Sequence, residues 1–274
     1  MSLPKISIIT PSFNQGRFIE ETILSVLDQN YPNIEYIIMD GGSNDNTVEV
    51  IKKYESRLAY WVSEKDNGQT HAINKGFERA TGDIITWINS DDVYCEGSLQ
   101  AIADYFNRNQ DCQWLAGNLL FMNESGQTYI RKYPNSAPWL ERNAMMSIYQ
   151  PNVFLRRSIL HTIGYPREEF HMTMDYEWFC RIAQQYSIHI IDKDIAKFRW
   201  HSDSKSSSVP NSLNQQIYHR EAISIIRKYH KRFAWFIDRF PKLTLFFWFR
   251  IEKVMRVLNR IFKGELYKLS DRLV

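Results

Sequence analysis

At 274 residues, with 44% hydrophobic and 24% charged side chains, the chain is long enough to bury a sizeable core and short for two large domains. Its net charge of +3 is unevenly spread: residues 227–274 hold 13 Lys and Arg against 4 Asp and Glu, leaving 21 against 27 for everything before them, so the two parts face different partners. Three widely spaced cysteines, Cys95, Cys112 and Cys180, exclude a disulfide framework or a zinc knuckle and fit a reducing, cytosolic setting.

No charged-then-apolar leader follows Met1, so no signal peptide is predicted. Residues 5–10 read as a strand, and Phe18, Ile19, Ile23, Leu24, Val26 and Leu27 recur at helical spacing before Pro32. A second strand covers residues 34–40. Asn46 and Glu49 resemble a helix-opening capping pair, with Val48, Val50, Ile51 and Tyr54 as the apolar face. A third strand at 58–63 and a third helix at 70–79 lead to Gly82 and a fourth strand, Ile84, Ile85, Trp87 and Ile88. This alternation implies βαβ units and a doubly wound, mostly parallel, Rossmann-like sheet.

Beyond Asp92 the rhythm changes. A helix over 98–106 precedes strands at 113–121 and 127–132, a loop marked by Pro134 and Pro138, a strand at 152–155, a helix at 175–185 and short strands at 187–192 and 195–200. Residues 201–211, rich in serine, read as a mobile polar loop, followed by helices broken near Pro241.

The fourth strand runs into Asn89-Ser90-Asp91-Asp92, and in open α/β sheets ligands bind at the strands' carboxyl ends. The first strand ends in Pro11-Ser12-Phe13-Asn14-Gln15-Gly16, which is neither the dinucleotide nor the phosphate-loop glycine pattern. A nucleotide bound here needs another hold on its phosphates. Acidic oxygens at a strand end suit a hard divalent cation, Mg²⁺ or Mn²⁺, bridging to a diphosphate; the plainer reading of an Asp-Asp pair is a turn or a helix cap.

Pro11-Ser12-Phe13-Asn14, the segment from Met39 through Asp40-Gly41-Gly42-Ser43 to Thr47, Asp66-Asn67-Gly68 with Asn74-Lys75-Gly76, Ala80-Thr81-Gly82 and Asn89-Ser90-Asp91-Asp92 follow one another in an order that resembles glycosyltransferase family 2. The resemblance continues through Gln150-Pro151-Asn152-Val153-Phe154, Met174-Asp175-Tyr176-Glu177-Trp178 and Phe198-Arg199-Trp200-His201, covering roughly residues 4–208. It implies a GT-A fold over residues 1–208, with residues 209–274 as a C-terminal helical appendage. It also implies an inverting, metal-dependent hexosyl- or N-acetylhexosaminyltransferase. The donor would be a nucleotide-sugar, a UDP-sugar first, and the acceptor a surface-glycan or lipid-linked saccharide.

Carried over by position, the resemblance assigns donor binding to Pro11, Ser12, Asn14, Asp40, Asn67, Asn74, Asn89, Arg199 and Lys205. Asp40 would take the nucleobase or ribose; Arg199 and Lys205 would neutralise phosphate. Asn89 stands where the family's Asp-x-Asp motif often has its first Asp, which leaves Asp91 as the main metal ligand, with Asp92 as second ligand or helix cap and His201 as a further ligand. Asp175 matches the Asp of the family's Glu-Asp motif, whose first residue is here Met174, and is expected to be the general base. His171 reads as a loop residue, and Trp61, Trp87 and Trp114 as core.

From Arg227 onward basic residues interleave with Phe233, Trp235, Phe236, Phe240, Phe246, Phe247, Trp248, Phe249 and Phe262. Such helices suit an anionic membrane surface, or equally an apolar face packed on the domain or a second subunit. The most apolar run, residues 243–249, is far short of the ~20 needed to span a bilayer. The expected location is cytoplasmic, with peripheral contact to the inner face of the membrane, and nucleic acid is not an expected partner because no such motif accompanies the charge. The alternatives are a non-catalytic glycan- or membrane-binding scaffold, and a sugar-nucleotide nucleotidyltransferase, which the missing glycine-rich loop disfavours.

Overall fold

The computed structural model describes residues 3–134, 148–202, 204–205, 213–229 and 239. Its first half is β1 (Ile6–Ser12), α1 (Ile19–Leu27), β2 (Ile34–Asp40), α2 (Thr47–Lys53), β3 (Tyr60–Ser63), α3 (Gln69–Arg79) and β4 (Ile84–Trp87). β1 pairs in parallel with β2 and β4, and β2 with β3. Parallel strands joined through helices are covered on both faces, and all seven residues of β1 are buried. Alternation sends Ile6 and Ile8 to one side, with Ile19, Ile23 and Val26 of α1, and Ile9 to the other, with Ala72, Ile73 and Phe77 of α3. Gly76 lets α3 lie close on β1, since a Cβ there would meet Ile9 Cγ2 at 2.5 Å.

The second half is β5 (Val93–Tyr94), α4 (Ser98–Arg108), β6 (Trp114–Met122), β7 (Thr128–Lys132), β8 (Val153–Arg156), α5 (Ile159–Thr162), α6 (Met174–Ala183), β9 (His189–Arg199) and α7 (Leu213–Tyr229). The nine strands among the described residues form one sheet, ordered β3-β2-β1-β4-β8-β6-β9-β5, with β7 also paired to β6. β8 runs antiparallel to β4 and β6, β9 runs parallel to β6, and β5 is antiparallel to β9. The parallel half thus meets a mixed half at the β4–β8 junction.

Three local expectations change. The two short strands predicted at 187–192 and 195–200 are one strand, β9. Between them, at residues 192–194, the register shifts against β6, where Asn118 Nδ2 donates to Asp192 Oδ1 at 2.9 Å. Asn46 makes no side-chain cap; Asp45 Oδ1 instead accepts the Thr47 N–H at 3.0 Å and the Thr47 hydroxyl at 2.5 Å. The folded unit also runs past residue 208: Ile225 of α7 lies in the core with Trp178, Phe179 and Ile182 of α6. The predicted break near Pro241, the basic aromatic segment beyond Tyr229, the loop around Pro138 and most of the serine-rich loop lie outside the described residues. Among the described residues no helix is long and apolar enough to cross a membrane.

Candidate active site

Because β1, β2 and β4 are parallel, their carboxyl ends open on one side, and there the surface sinks into a cleft of about 790 Å³. Its wall takes Pro11 and Ser12 from β1, Gly41 after β2, Asn89, Ser90 and Asp91 after β4, Asp175 from α6, and Lys205. Three buried polar atoms on that wall, Ser12 Oγ, Trp87 Nε1 and Gln150 Oε1, have no hydrogen-bond partner among the described residues. An unmet buried group costs about 1–3 kcal/mol.

The turn after β4 separates its two carboxylates. Asp91 reaches the cleft, and its Oδ2 lies 3.0 Å from Nε2 of His201, whose side chain is buried behind it on the ring of Phe18. Asp92 is fully buried and does not line the cleft. Its Oδ1 accepts the Arg199 main-chain N–H at 2.9 Å and its Oδ2 the Asn89 side-chain N–H at 3.3 Å. Burial, then the charge of Asp91, pushes its carboxyl pKa well up. Nor does Asp92 cap α4, which begins at Ser98 behind Gly97. In this structure its carboxylate straps β9 to the turn, in place of the ligand or cap role expected of it.

Arg199 also lies away from the cleft. It is buried, with Nε donating to the Asp91 carbonyl at 2.9 Å, Nη1 to the Glu124 carbonyl at 2.9 Å, and Nη2 paired with Glu21. A guanidinium so occupied does not reach a phosphate; it fixes the backbone of Asp91. Lys205 is the predicted cation that does line the cleft, and its Nζ donates to Gln69 Oε1 at 2.9 Å. Desolvation by the cleft wall lowers its pKa, while the charges of Asp175, Glu221 and Asp66 oppose that shift.

Asp175, half-buried in the first turn of α6, faces the cleft with Oδ1 accepting the Tyr176 N–H at 2.8 Å. Close packing around it raises its pKa, against the pull of that N–H and of Lys205. A carboxylate made more basic while still reachable can take a proton from a bound hydroxyl.

Of the remaining predicted donor residues, Asn89 joins Pro11 and Ser12 on the wall, accepting the Gln69 side-chain N–H at 2.7 Å. Asp40, Asn14, Asn67 and Asn74 do not line the cleft. Asp40 is buried and accepts from Gly42 N, Ser43 N, Ser43 Oγ and Ser63 Oγ, at 2.5–3.2 Å, so its carboxylate shapes the turn that presents Gly41. Asn14, with Oδ1 accepting the Asn44 N–H at 2.9 Å, stitches that turn to the loop after β1. Asn67 is exposed, and Asn74 ties α3 to the Pro166 carbonyl at 3.0 Å.

The cleft recruits residues that sequence reasoning passed over. Gln69 bridges Asn89 and Lys205, and Gln150, His171 and the half-exposed Trp200 lie on the wall. Gln69 and Gln150 each adjoin or belong to motifs quoted above, a signal that was there to read; His171 carried none. Trp87 is core as expected, yet one edge of it reaches the cleft.

As for a metal, Asp91 and His201 meet as one carboxylate and one imidazole, and among the described residues no group of three His, Cys, Asp or Glu side chains could hold an ion. His201 Nδ1 is buried without a partner among those residues. One or two protein ligands fit a cation such as Mg²⁺ that draws its other ligands from phosphate and water, and not a closed all-protein cage.

The family model described as "Glycosyl transferase family 2" matches residues 7–164. An uncharacterized glycosyltransferase of Rickettsia conorii is 28% identical over 217 residues, 75% of this chain and 36% of the relative. The putative teichuronic acid biosynthesis glycosyltransferase TuaG of Bacillus subtilis is 39% identical over 100 residues, 35% of this chain and 40% of the relative. The chain thus spans about a third of the length of the Rickettsia conorii relative. Among solved structures, S. aureus TarS 1–349 in complex with UDP-GlcNAc superposes with a TM-score of 0.63 at 18% identity, covering 84% of this chain and 72% of that one. The mannosyltransferase PcManGT of Pyrobaculum calidifontis, in complex with GDP-Man and Mn²⁺, gives 0.59 at 17% identity, covering 85% and 65%. At these identities the likeness is one of fold.

Proposed function

Since the chain belongs to glycosyltransferase family 2, we propose that it transfers a hexosyl or N-acetylhexosaminyl group, with inversion, from a nucleotide-diphosphate sugar to a hydroxyl of a surface-glycan or lipid-linked saccharide. The observation that carries this reading is the presence on one cleft wall of Asp91 at the end of β4 and Asp175 at the start of α6, the first suited to a diphosphate's cation and the second to an acceptor's proton. A UDP-sugar is the first candidate donor, supported by TarS, whose complex holds UDP-GlcNAc; GDP-Man in PcManGT makes a GDP-sugar the second. TuaG, named for teichuronic acid biosynthesis, supports polysaccharide synthesis as the setting.

In this reading Pro11, Ser12 and Gly41 border the nucleotide, and Asn89 and Lys205, joined through Gln69, border the phosphates and sugar. Asp175 accepts the acceptor's proton as its oxygen attacks the anomeric carbon, a contribution of roughly 10²–10⁴ in rate. Asp91, backed by His201, would hold Mn²⁺ or Mg²⁺, which when bound offsets the charge of the departing diphosphate. Asp40, Asn14 and Arg199 act one step back, by holding the loops that bear Gly41 and Asp91.

The test is a panel of UDP-glucose, UDP-GlcNAc and GDP-mannose, scored for thermal stabilisation with and without Mn²⁺ and then for nucleotide release. Wild type is expected to gain metal-dependent stabilisation from at least one donor, and Asp91→Ala to lose the metal-dependent part. An Asp91→Ala variant that keeps the same Mn²⁺-dependent stabilisation as wild type would remove Asp91 from the metal. A panel without binding or turnover favours the scaffold reading.

A further inference from the structure

Glu221 lies on α7, beyond the stretch that carries the family match, and is buried although its helix is largely polar. Both oxygens are spent on the segment that enters α6. Oε1 accepts the His171 N–H at 2.8 Å; Oε2 accepts the Met172 N–H at 2.9 Å, the Thr173 N–H at 3.0 Å and the Thr173 hydroxyl at 2.9 Å. Thr173 directly precedes α6 and makes no side-chain cap of its own; the carboxylate from α7 instead takes the N–H groups of the three residues that lead into that helix. His171, Met172, Met174 and Asp175 all line the cleft, so the main chain held by Glu221 is the cleft wall itself, and the proposed base is two residues past the last bond.

We propose that Glu221 is a positioning residue for glycosyl transfer: by gathering three main-chain N–H groups and one hydroxyl at the start of α6, it fixes where Asp175 stands in the cleft and makes α7 part of the catalytic unit. The inference rests on the reading of Asp175 as base. Proton transfer demands hydrogen-bond reach, and a displacement of the order of 1 Å costs about 10²-fold. A glutamine at 221 keeps the size but turns one acceptor into a donor that faces N–H groups. The donor's nucleotide, bordered by the ends of β1 and β2, is far less dependent on this segment.

The experiment is a cycle of Glu221→Gln, Asp175→Asn and the double variant, with turnover of the nucleotide-sugar that wild type uses best, affinity for the free nucleotide, and melting temperature read for each. Glu221→Gln is expected to lower kcat about 10- to 100-fold, with nucleotide affinity within about twofold of wild type, because the wall moves and the nucleotide end does not. In the Asp175→Asn background it is expected to have no further effect, since the group it positions is gone. Losses that multiply in the double variant, or an unchanged kcat in Glu221→Gln, overturn the inference while leaving the base in place. An active Asp175→Asn overturns the base itself and this inference with it. Should Glu221→Gln fail to melt cooperatively, Thr173→Val, which deletes one of the four bonds, replaces it in the same cycle with a smaller loss and the same criterion of non-additivity.

Discussion

Asp175 carries opposed demands that can be measured separately. Its pKa is raised by burial, so folding favours the neutral carboxyl: the group is accommodated at low pH and becomes a liability as pH rises through the folded value. The base role proposed for it needs the opposite, the ionised form. Asp175→Asn is therefore expected to lose roughly 10²–10⁴ in turnover while binding donor normally. It should melt at or above wild type at pH 7.5, with the gap closing on acidification. Wild-type turnover should fall as pH drops through that same raised pKa, and a rate still flat down to pH 3.8, the ordinary aspartate value, or a variant clearly less stable than wild type at pH 7.5, would contradict this account. The neighbouring carboxylate pair shows how much a residue's surroundings decide. Asp91 and Asp92 are adjacent and identical in sequence terms; one faces the cleft and the other is sealed under β9. Which of the two would point outward depended on a strand more than a hundred positions away.

At the scale of elements, the end of the sheet opposite the cleft is fastened by one acidic side chain on β2. Glu35 is buried and accepts from Ser7 Oγ at 2.5 Å, Lys5 Nζ at 2.6 Å, Thr81 N at 2.7 Å and Thr81 Oγ1 at 2.6 Å, joining β1, β2 and the turn before β4. Burial alone would raise its pKa, but these hydrogen bonds win and lower it to about 2. A lowered pKa contributes stability that is present above the unfolded value near 4.5 and lost as pH falls toward 2. Glu35→Gln should thus cost roughly 2–3 kcal/mol at pH 7, read from urea unfolding, with the difference from wild type shrinking between pH 4.5 and 2. A difference that holds constant over that range would mean the ionised form is not what matters. The elements themselves were largely legible. β1, β2 and β4 follow from short apolar runs, and α1 from helical spacing, because local burial on both faces of a parallel sheet leaves a strong local pattern. β9 was misread as two strands because its polar middle is explained by a partner strand, a non-local fact.

For the whole molecule, legibility fell off with chain distance. Motifs on adjacent loops placed Ser12, Asn89, Asp91 and Asp175 at one cleft, whereas the burial of Arg199 and the involvement of Glu221 depend on contacts that no local pattern encodes. The domain boundary expected at residue 208 suffered similarly, since α7 reads as a polar helix until Ile225 and Glu221 are seen inside the core. The basic, aromatic segment beyond α7 remains the proposed membrane contact. The 274-residue chain is expected to float with anionic liposomes and a chain lacking residues 233–274 to stay at the bottom of the gradient, and a 274-residue chain that never floats ends that idea. Arg199, finally, bears on the order in which the molecule is assembled. Its guanidinium meets Glu21 across 178 positions and the Asp91 carbonyl across 108, so neither contact exists until β9 is in place beside the first half of the chain. Closing loops of that length consumes entropy before any contact returns it. During synthesis the emerging chain therefore gains a finished cleft only after β9 has been added.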